Sequence, residues 1–178
     1  AARRALLCGV DAAGEGGNLA SWRWGQEGST FWPGVPNHPV VSLLTWSPGG
    51  DRLGLIIAEA GRPNLYTLSP TGSALQKLTD SSEEKSDPAW SPDGLQLAFA
   101  DGAQGRREIY LLPAGGGAVH NVTSSAADEW APTWSGDGRY LAFAAKGEGL
   151  TNTEIVRLEP VTGERLRLTA DPSEDIFP

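Results

Sequence analysis

The sequence predicts an all-β protein built from repeated four-stranded units. Three tryptophans, Trp46, Trp90 and Trp134, stand 44 residues apart and open the phrases W-S-P-G-G, W-S-P-D-G and W-S-G-D-G. Four short apolar segments fall within each period, and the units close on K-L-T, N-V-T and R-L-T. A period in the forties with four such segments is typical of a repeat architecture in which each unit is one antiparallel sheet.

The phrase after each tryptophan predicts a turn between two strands. In S-P-D-G at 91–94, the proline fixes φ, the aspartate accepts hydrogen bonds from the local backbone, and the glycine tolerates a positive φ. Beyond the turn, Leu95, Leu97 and Phe99 alternate with smaller or polar residues, as in a strand. The predicted strands are 42–46, 53–58, 64–68 and 75–78; 88–90, 95–100, 107–112 and 119–122; and 132–134, 139–145, 153–158 and 165–168. Segments 5–10, 18–24 and 29–32 fit a degenerate unit that lacks its first strand.

Stacking of these units around an axis would give a β-propeller. One four-stranded sheet cannot bury both faces, so the units must pack on one another. The predicted blades are 40–86, 87–130 and 131–178, after a degenerate blade over 1–39. The residues expected to form the core between blades are Trp46, Trp90, Trp134, Leu97, Phe99, Leu141 and Phe143. The tryptophans could instead form a platform for ligand stacking, but their structural period favours the core.

Two segments resemble a known repeat. D-P-A-W-S-P-D-G-L-Q-L-A-F-A (87–100) and A-P-T-W-S-G-D-G-R-Y-L-A-F-A (131–144) are similar to the WD-like repeat of TolB-type β-propellers, which also occurs in prolyl-oligopeptidase-like peptidases and tricorn protease. The resemblance implies a ring of typically six to eight blades, of which this chain supplies about three full ones and one incomplete one. It also implies a bacterial periplasmic, cell-envelope or extracellular setting.

Composition narrows the functional classes. A net charge of −8 and a pI near 4.7 argue against binding of nucleic acid, which requires clustered basic residues. A single cysteine, Cys8, excludes an internal disulfide framework and a cysteine-based metal cage. No run approaches the ~20 apolar residues of a membrane span. The chain contains no Met, and Pro178 aligns with Pro88 and Pro132, so we expect a longer or processed polypeptide.

Acidic residues recur where one unit passes to the next. Because these linking segments should emerge on one face near the ring axis, they could form a negatively charged mouth for a basic peptide or protein. The candidate binding residues are Asp87, Asp128, Glu129 and Asp175, with Trp130 as an aromatic anchor. Charged loops that serve only solubility are the alternative.

The sequence predicts no catalytic residue, metal site or cofactor. Neither His38 nor His120 lies in a recognisable triad pattern, and no G-x-S-x-G or D-x-D-x-D-G motif occurs. Asn121-Val122-Thr123 matches a glycosylation acceptor, but it also occupies the closing position of the repeat. The leading hypothesis is therefore a non-catalytic protein- or peptide-binding scaffold. The alternatives are the propeller domain of a serine peptidase whose catalytic domain lies elsewhere, and a structural subunit that completes its ring by association with further blades or subunits.

Overall fold

The described part of the chain consists of strands and connections. The computed structural model describes residues 4–10, 17–23, 29–31, 41–69, 74–147, 149–150, 152–170 and 173–178, with only the backbone up to residue 44. The first sheet contains β1 (Arg4–Val10), β2 (Gly17–Arg23) and β3 (Ser29–Phe31). The first blade contains β4 (Val41–Trp46), β5 (Leu53–Glu59), β6 (Arg62–Leu68) and β7 (Leu75–Lys77). The second contains β8 (Lys85–Trp90), β9 (Gln96–Asp101), β10 (Glu108–Pro113) and β11 (His120–Asn121). The third contains β12 (Asp128–Trp134), β13 (Leu141–Lys146), β14 (Glu154–Leu158) and β15 (Arg165–Arg167).

Each sheet is an antiparallel meander in chain order. The opening strand β8 contacts both β4 and β12, so these three are the inner strands around which the blades are arranged. The predicted all-β partial propeller, with three four-stranded blades and one incomplete blade, is confirmed. His38 lies outside the described residues.

The inner strands of the second and third blades begin earlier than predicted. They start at Lys85 and Asp128, rather than at 88 and 132 where the sequence places a proline. A register shift interrupts each strand at that point, and the bulged residues Asp87 and Ala131 have φ values of 53° and 51°. Because a bulge leaves one residue without a ladder partner, it accommodates a proline and lets the strand continue.

The described residues form three core clusters, of which one belongs to the first blade and two lie between the full blades. The cluster of the first blade contains Leu53, Leu55, Ile57, Tyr66 and Leu68. The cluster between the first and second blades contains Ile56, Leu65, Leu78, Trp90, Leu97, Phe99, Leu112 and Ala114. The cluster between the second and third contains Ala98, Ala100, Ile109, Leu141, Phe143, Ala145, Val156 and Leu158. Both faces of β9 are therefore buried. Leu95, by contrast, is 64% exposed, because it belongs to the turn before β9 and not to the strand.

Small residues let the tryptophans approach the preceding blade. A Cβ at Gly54 would lie 3.1 Å from Nε1 of Trp90, and the repeat places Ala98 and Ala142 at the equivalent positions. Trp90 is 7% exposed, and its indole N–H donates to the carbonyl of Thr45 at 3.0 Å. Trp46 and Trp134 are only partly buried.

The closing threonine of each unit has a structural role. Thr79, Thr123 and Thr169 each accept a hydrogen bond at 2.9 Å from a backbone N–H of the third strand of their own blade. The same hydrogen bond in all three blades accounts for the conserved spacing of the K-L-T, N-V-T and R-L-T phrases. This hydrogen bond accounts for the threonine of N-V-T at 121–123, so no attached glycan is needed to explain it.

Candidate functional site

The acidic residues predicted to form a loop face lie mostly on inner strands. Asp87 is in β8, and Asp128, Glu129 and Trp130 are in β12. The expectation that these four occupy exposed linking loops is wrong, because the inner strands continue through their bulges and begin at Lys85 and Asp128. Asp175 is the only member outside a strand, and its backbone N–H donates to the carbonyl of Thr153.

Asp128 is held by an arginine of the second blade. Its carboxylate accepts hydrogen bonds from the backbone N–H, Nε and Nη2 of Arg107 at 2.9, 3.0 and 2.7 Å. Burial opposes ionisation of Asp128, but these hydrogen bonds outweigh burial and hold its pKa below the ordinary value. The same guanidinium lies 4.8 Å from the ring centroid of Trp130. Arg107 thus links the second and third blades. It contacts Asp128 and Trp130, which are two of the five predicted binding residues.

Glu129 is completely buried. Its Oε1 accepts hydrogen bonds from Arg165 and from the hydroxyl of Ser125, and its Oε2 has no partner among the described residues. Asp87 is partly exposed, and it accepts a hydrogen bond from Ser86 at 2.8 Å. Asp128 and Glu129 are thus held by arginines, which leaves Asp87 and Asp175 as the acidic members of the set without an arginine partner among the described residues. The binding role of the set stays a prediction.

A second candidate site, absent from the sequence prediction, is a groove between the second and third blades. It is a cavity of about 500 Å³, within the range of ligand pockets. We call this cavity the interblade groove. It is lined by Gln96, Leu111, Leu112, Pro113, His120, Val122, Trp134, Gly138, Arg139, Glu159, Pro160 and Val161. Most of these are apolar, with polar groups at the rim.

The position of the groove follows from the fold. Trp134 ends an inner strand, Gly138 belongs to the turn after it, and Pro160 and Val161 follow β14. The groove therefore opens at the end of the sheets where the tryptophan turns lie. The sequence signal that could have revealed it is the loss of a large basic side chain at Gln96, whose equivalent in the first blade is Arg52.

The polar groups of the groove include one ion pair and one unpartnered donor. Nε of Arg139 donates to Glu159 at 2.8 Å, and the hydrogen bonds from Arg139 and Thr162 lower the pKa of Glu159. The indole Nε1 of Trp134 has no acceptor within the described residues. The equivalent nitrogen of Trp90 donates to a backbone carbonyl. Because Nε1 of Trp134 is itself buried, the groove can bind an apolar group against the indole ring but not through its N–H.

In the described ranges, no three side chains of His, Cys, Asp or Glu converge as metal ligands would. Nor does this part of the chain hold a helix with the length and hydropathy needed to traverse a membrane.

Comparison with solved structures identifies similar folds. A protein assigned as TolB from Agrobacterium tumefaciens is 18% identical with a TM-score of 0.76, and the match covers 93% of this chain and 61% of that one. TolB from Acinetobacter baumannii is 17% identical with a TM-score of 0.54, covering 97% and 54%. A puromycin-hydrolyzing peptidase from Mycobacterium tuberculosis is 16% identical with a TM-score of 0.69, covering 89% and 26%. The chain thus spans 61% and 54% of the length of the two TolB chains, and at these identities the likeness concerns the fold alone. No curated protein sequence matches the chain.

A family model agrees with the repeat phrases. The model of the TolB beta propeller domain matches residues 37–176, which include all three full blades. The resemblance stated from W-S-P-D-G and W-S-G-D-G is therefore confirmed. The chain belongs to the TolB β-propeller domain family.

Proposed function

We propose that this chain is a non-catalytic, protein- or peptide-binding part of a TolB-like propeller, and that the interblade groove receives the partner. The observation that carries the proposal is an open groove of about 500 Å³ whose walls include Trp134 and Val122. Aromatic side chains at the centre of a pocket commonly provide most of the binding energy. The resemblance to TolB supports a bacterial periplasmic or cell-envelope location as part of this proposal.

The charge of the chain favours a basic partner. The net charge is −8, and Glu83 and Glu84 are exposed close in sequence to Asp87 on the inner strand. Many other carboxylates are already paired within the fold, among them Asp101, Asp128 and Glu129. The acidic inner strands would therefore guide a basic partner by long-range attraction and add little contact energy.

Selection of peptides from a random displayed library tests this function. Selected peptides should bind the 178-residue chain and lose at least about tenfold in affinity, or ~1.4 kcal/mol, in Trp134→Ala. Leu95→Ala, at an exposed position outside the groove, is the matched control and should bind as the unaltered chain does. The peptides should also be recovered uncut. Selected peptides that bind Trp134→Ala unchanged, or that are hydrolysed, would contradict the proposal.

A second candidate function is completion of a ring by association. The outer face of the third blade exposes Leu168 at 52%, whereas Leu78, at the equivalent position of the first blade, is 9% exposed beneath the second blade. Segment 173–178 contacts the edge of this face through Asp175, but Phe177 remains 79% exposed. A further blade would cover this surface. Native mass spectrometry checks it, because Leu168→Lys should dissociate any such assembly.

The peptidase alternative is supported only by fold similarity. It predicts a G-x-S-x-G segment with later Asp and His in the complete reading frame. A reading frame without that segment would reject it.

A further inference from the structure

The repeat provides an internal reference for the interblade groove. Every residue that lines the groove has a repeat equivalent between the first and second blades. At that earlier interface the side chain of Arg52 spans the two blades and closes the space between them. Arg52 closes the first position, and Gln96 is its equivalent in the second blade. The two residues share their backbone setting, since each N–H donates to the serine hydroxyl of its own turn, at 3.0 and 2.9 Å.

Arg52 crosses from the first blade to the second. Its Nη1 donates to the carbonyl of Ala114 at 3.0 Å, and its Nη2 donates to the carbonyl of Gly94 at 3.3 Å. Its guanidinium carbon lies 5.4 Å from the ring centroid of Trp90. The closed position is therefore an arginine site made of one indole ring and two backbone carbonyls, with the exposed carboxylate of Asp51 3.8 Å from Nε of Arg52.

The open groove retains the indole and the two carbonyls of that site without its arginine, and Leu95 stands where the first blade has Asp51. Trp134, Gly138 and Pro160 are the repeat equivalents of Trp90, Gly94 and Ala114, and all three line the groove. The carbonyls of Gly138 and Pro160 accept no hydrogen bond from the residues that the structure describes. Gln96 replaces Arg52 and brings neither the charge nor the forked donors of a guanidinium.

The outer end of the groove is open because it lacks a hydrogen bond that joins the blades at the first interface. In the first position, Nε2 of Gln76 donates to the carbonyl of Gly115 at 2.9 Å and joins the two blades. The equivalents in the groove are His120 and Val161, which form no such hydrogen bond, and Val161 is 94% exposed. A chain entering from solvent can therefore reach Trp134.

The charged groups of the groove form a neutral pair. Glu159 brings a carboxylate to the place where the second blade has Pro113, and Arg139 brings a guanidinium to the place where it has Leu95. Arg139 pairs with this carboxylate, and its guanidinium lies 5.0 Å from the ring centroid of Tyr140. Arg139 is thus engaged at the rim, and the indole of Trp134 is left for a ligand.

From this juxtaposition we infer that the interblade groove binds an arginine side chain of a peptide partner, whose guanidinium takes the position that Arg52 occupies between the first two blades. The volume accommodates the arginine together with its apolar neighbours. The inference rests on the proposed function, because it names the chemistry recognised by the same groove.

Three peptides of one length test the assignment by isothermal titration calorimetry. Acetyl-Leu-Arg-Leu-amide should bind the 178-residue chain about tenfold more tightly than the same peptide with lysine, because lysine lacks the planar guanidinium whose forked donors reach separate acceptors while its face stacks on an indole. The version with citrulline, which keeps the shape and loses the charge, should also bind about tenfold more weakly. Equal affinities for the three peptides, or binding of none of them, would overturn the arginine assignment.

Gln96→Arg provides an independent readout. The introduced arginine should fill the groove as Arg52 does, weaken binding of the arginine peptide by at least about tenfold, and raise the melting temperature. Gln96→Lys is the matched control and should give neither effect in full. An unchanged melting temperature together with unchanged peptide affinity in Gln96→Arg would also overturn the assignment.

These outcomes separate the inference from the proposed function. Library-selected peptides that require Trp134 but show no preference for arginine would leave a partner-binding groove and reject the arginine site. Selected peptides that do not require Trp134 would reject both.

Discussion

Lys85 and Glu129 occupy the same position of successive inner strands, five residues before Trp90 and Trp134, and both are buried although their charges are opposite. Lys85 donates to the hydroxyl of Ser81, to the carbonyl of Glu83 at 2.8 Å and to Asp101 at 3.0 Å. Glu129 instead accepts from Arg165 and Ser125. Each blade therefore neutralises this position with its own partners, as a buried charge requires.

Replacement of Lys85 should destabilise the fold strongly. Lys85→Met keeps the length of the side chain but leaves Asp101 without its cation, and we expect a loss of about 3 kcal/mol in the free energy of unfolding. Urea denaturation measures this loss. In the double variant Lys85→Met with Asp101→Asn, part of the stability should return, because no unpaired charge remains. A double variant no more stable than the single one would contradict the role of the pair.

The ion pair between Arg107 and Asp128 should make stability depend on acid pH. Because the folded state lowers the pKa of Asp128, the pair contributes fully above the ordinary aspartate value and its contribution is lost as pH falls through the folded-state pKa. Asp128→Asn should therefore be less stable than the unaltered chain at pH 7, and the difference should shrink below about pH 4. Urea unfolding at several pH values measures it. A difference that stays constant down to pH 2.5 would contradict this account.

The two tryptophans of the second and third blades should differ in their structural contribution. Trp90→Ala removes a buried ring, its hydrogen bond to Thr45 and the stacking of Arg52, and should cost roughly 3–5 kcal/mol. Trp134→Ala should cost less, because that ring borders an open groove and its Nε1 has no acceptor within the described residues. Thermal and urea unfolding of both variants test the comparison. Equal losses would remove the distinction between a core tryptophan and a groove tryptophan.

The closing threonines should contribute through the hydroxyl group. Thr79→Val keeps the shape but leaves the N–H of Leu65 without its acceptor in a buried setting, at a cost of about 1–3 kcal/mol. Thr79→Ser retains the oxygen and should lose less. Unfolding free energies of the two variants provide the measurement. A serine variant as unstable as the valine variant would assign the effect to packing and not to the hydrogen bond.

The tryptophan turns agree closely with the sequence prediction because their hydrogen bonds are local. Asp93 accepts hydrogen bonds from Ser91 at 2.6 Å and from the backbone N–H of Leu95 at 2.9 Å, and Gly94 has a φ of 71°. Every partner lies within a few residues, so the phrase S-P-D-G is sufficient to predict the turn. The same locality explains why the four-stranded units could be read from the chain.

The acidic residues show where local reasoning ends. The sequence places Asp128 and Glu129 between two units, but whether they are exposed depends on Arg107 and Arg165, which are 21 and 36 residues away. Their pairing is decided by the packing of blades and by the bulges that lengthen the inner strands. A single-sequence pattern carries no information about either.

The sequence by itself determined the period, the blade unit, the turns and the family, because the residue pattern that indicates each of them is complete within one repeat. Only the tertiary structure decided which blade interface is closed and which is open. Arg52 and Gln96 hold equivalent positions, and both would pass as polar surface residues in the sequence. The two interfaces differ because Arg52 reaches the carbonyls of Gly94 and Ala114 across the first one, whereas Gln96 leaves the groove beside Trp134 unfilled.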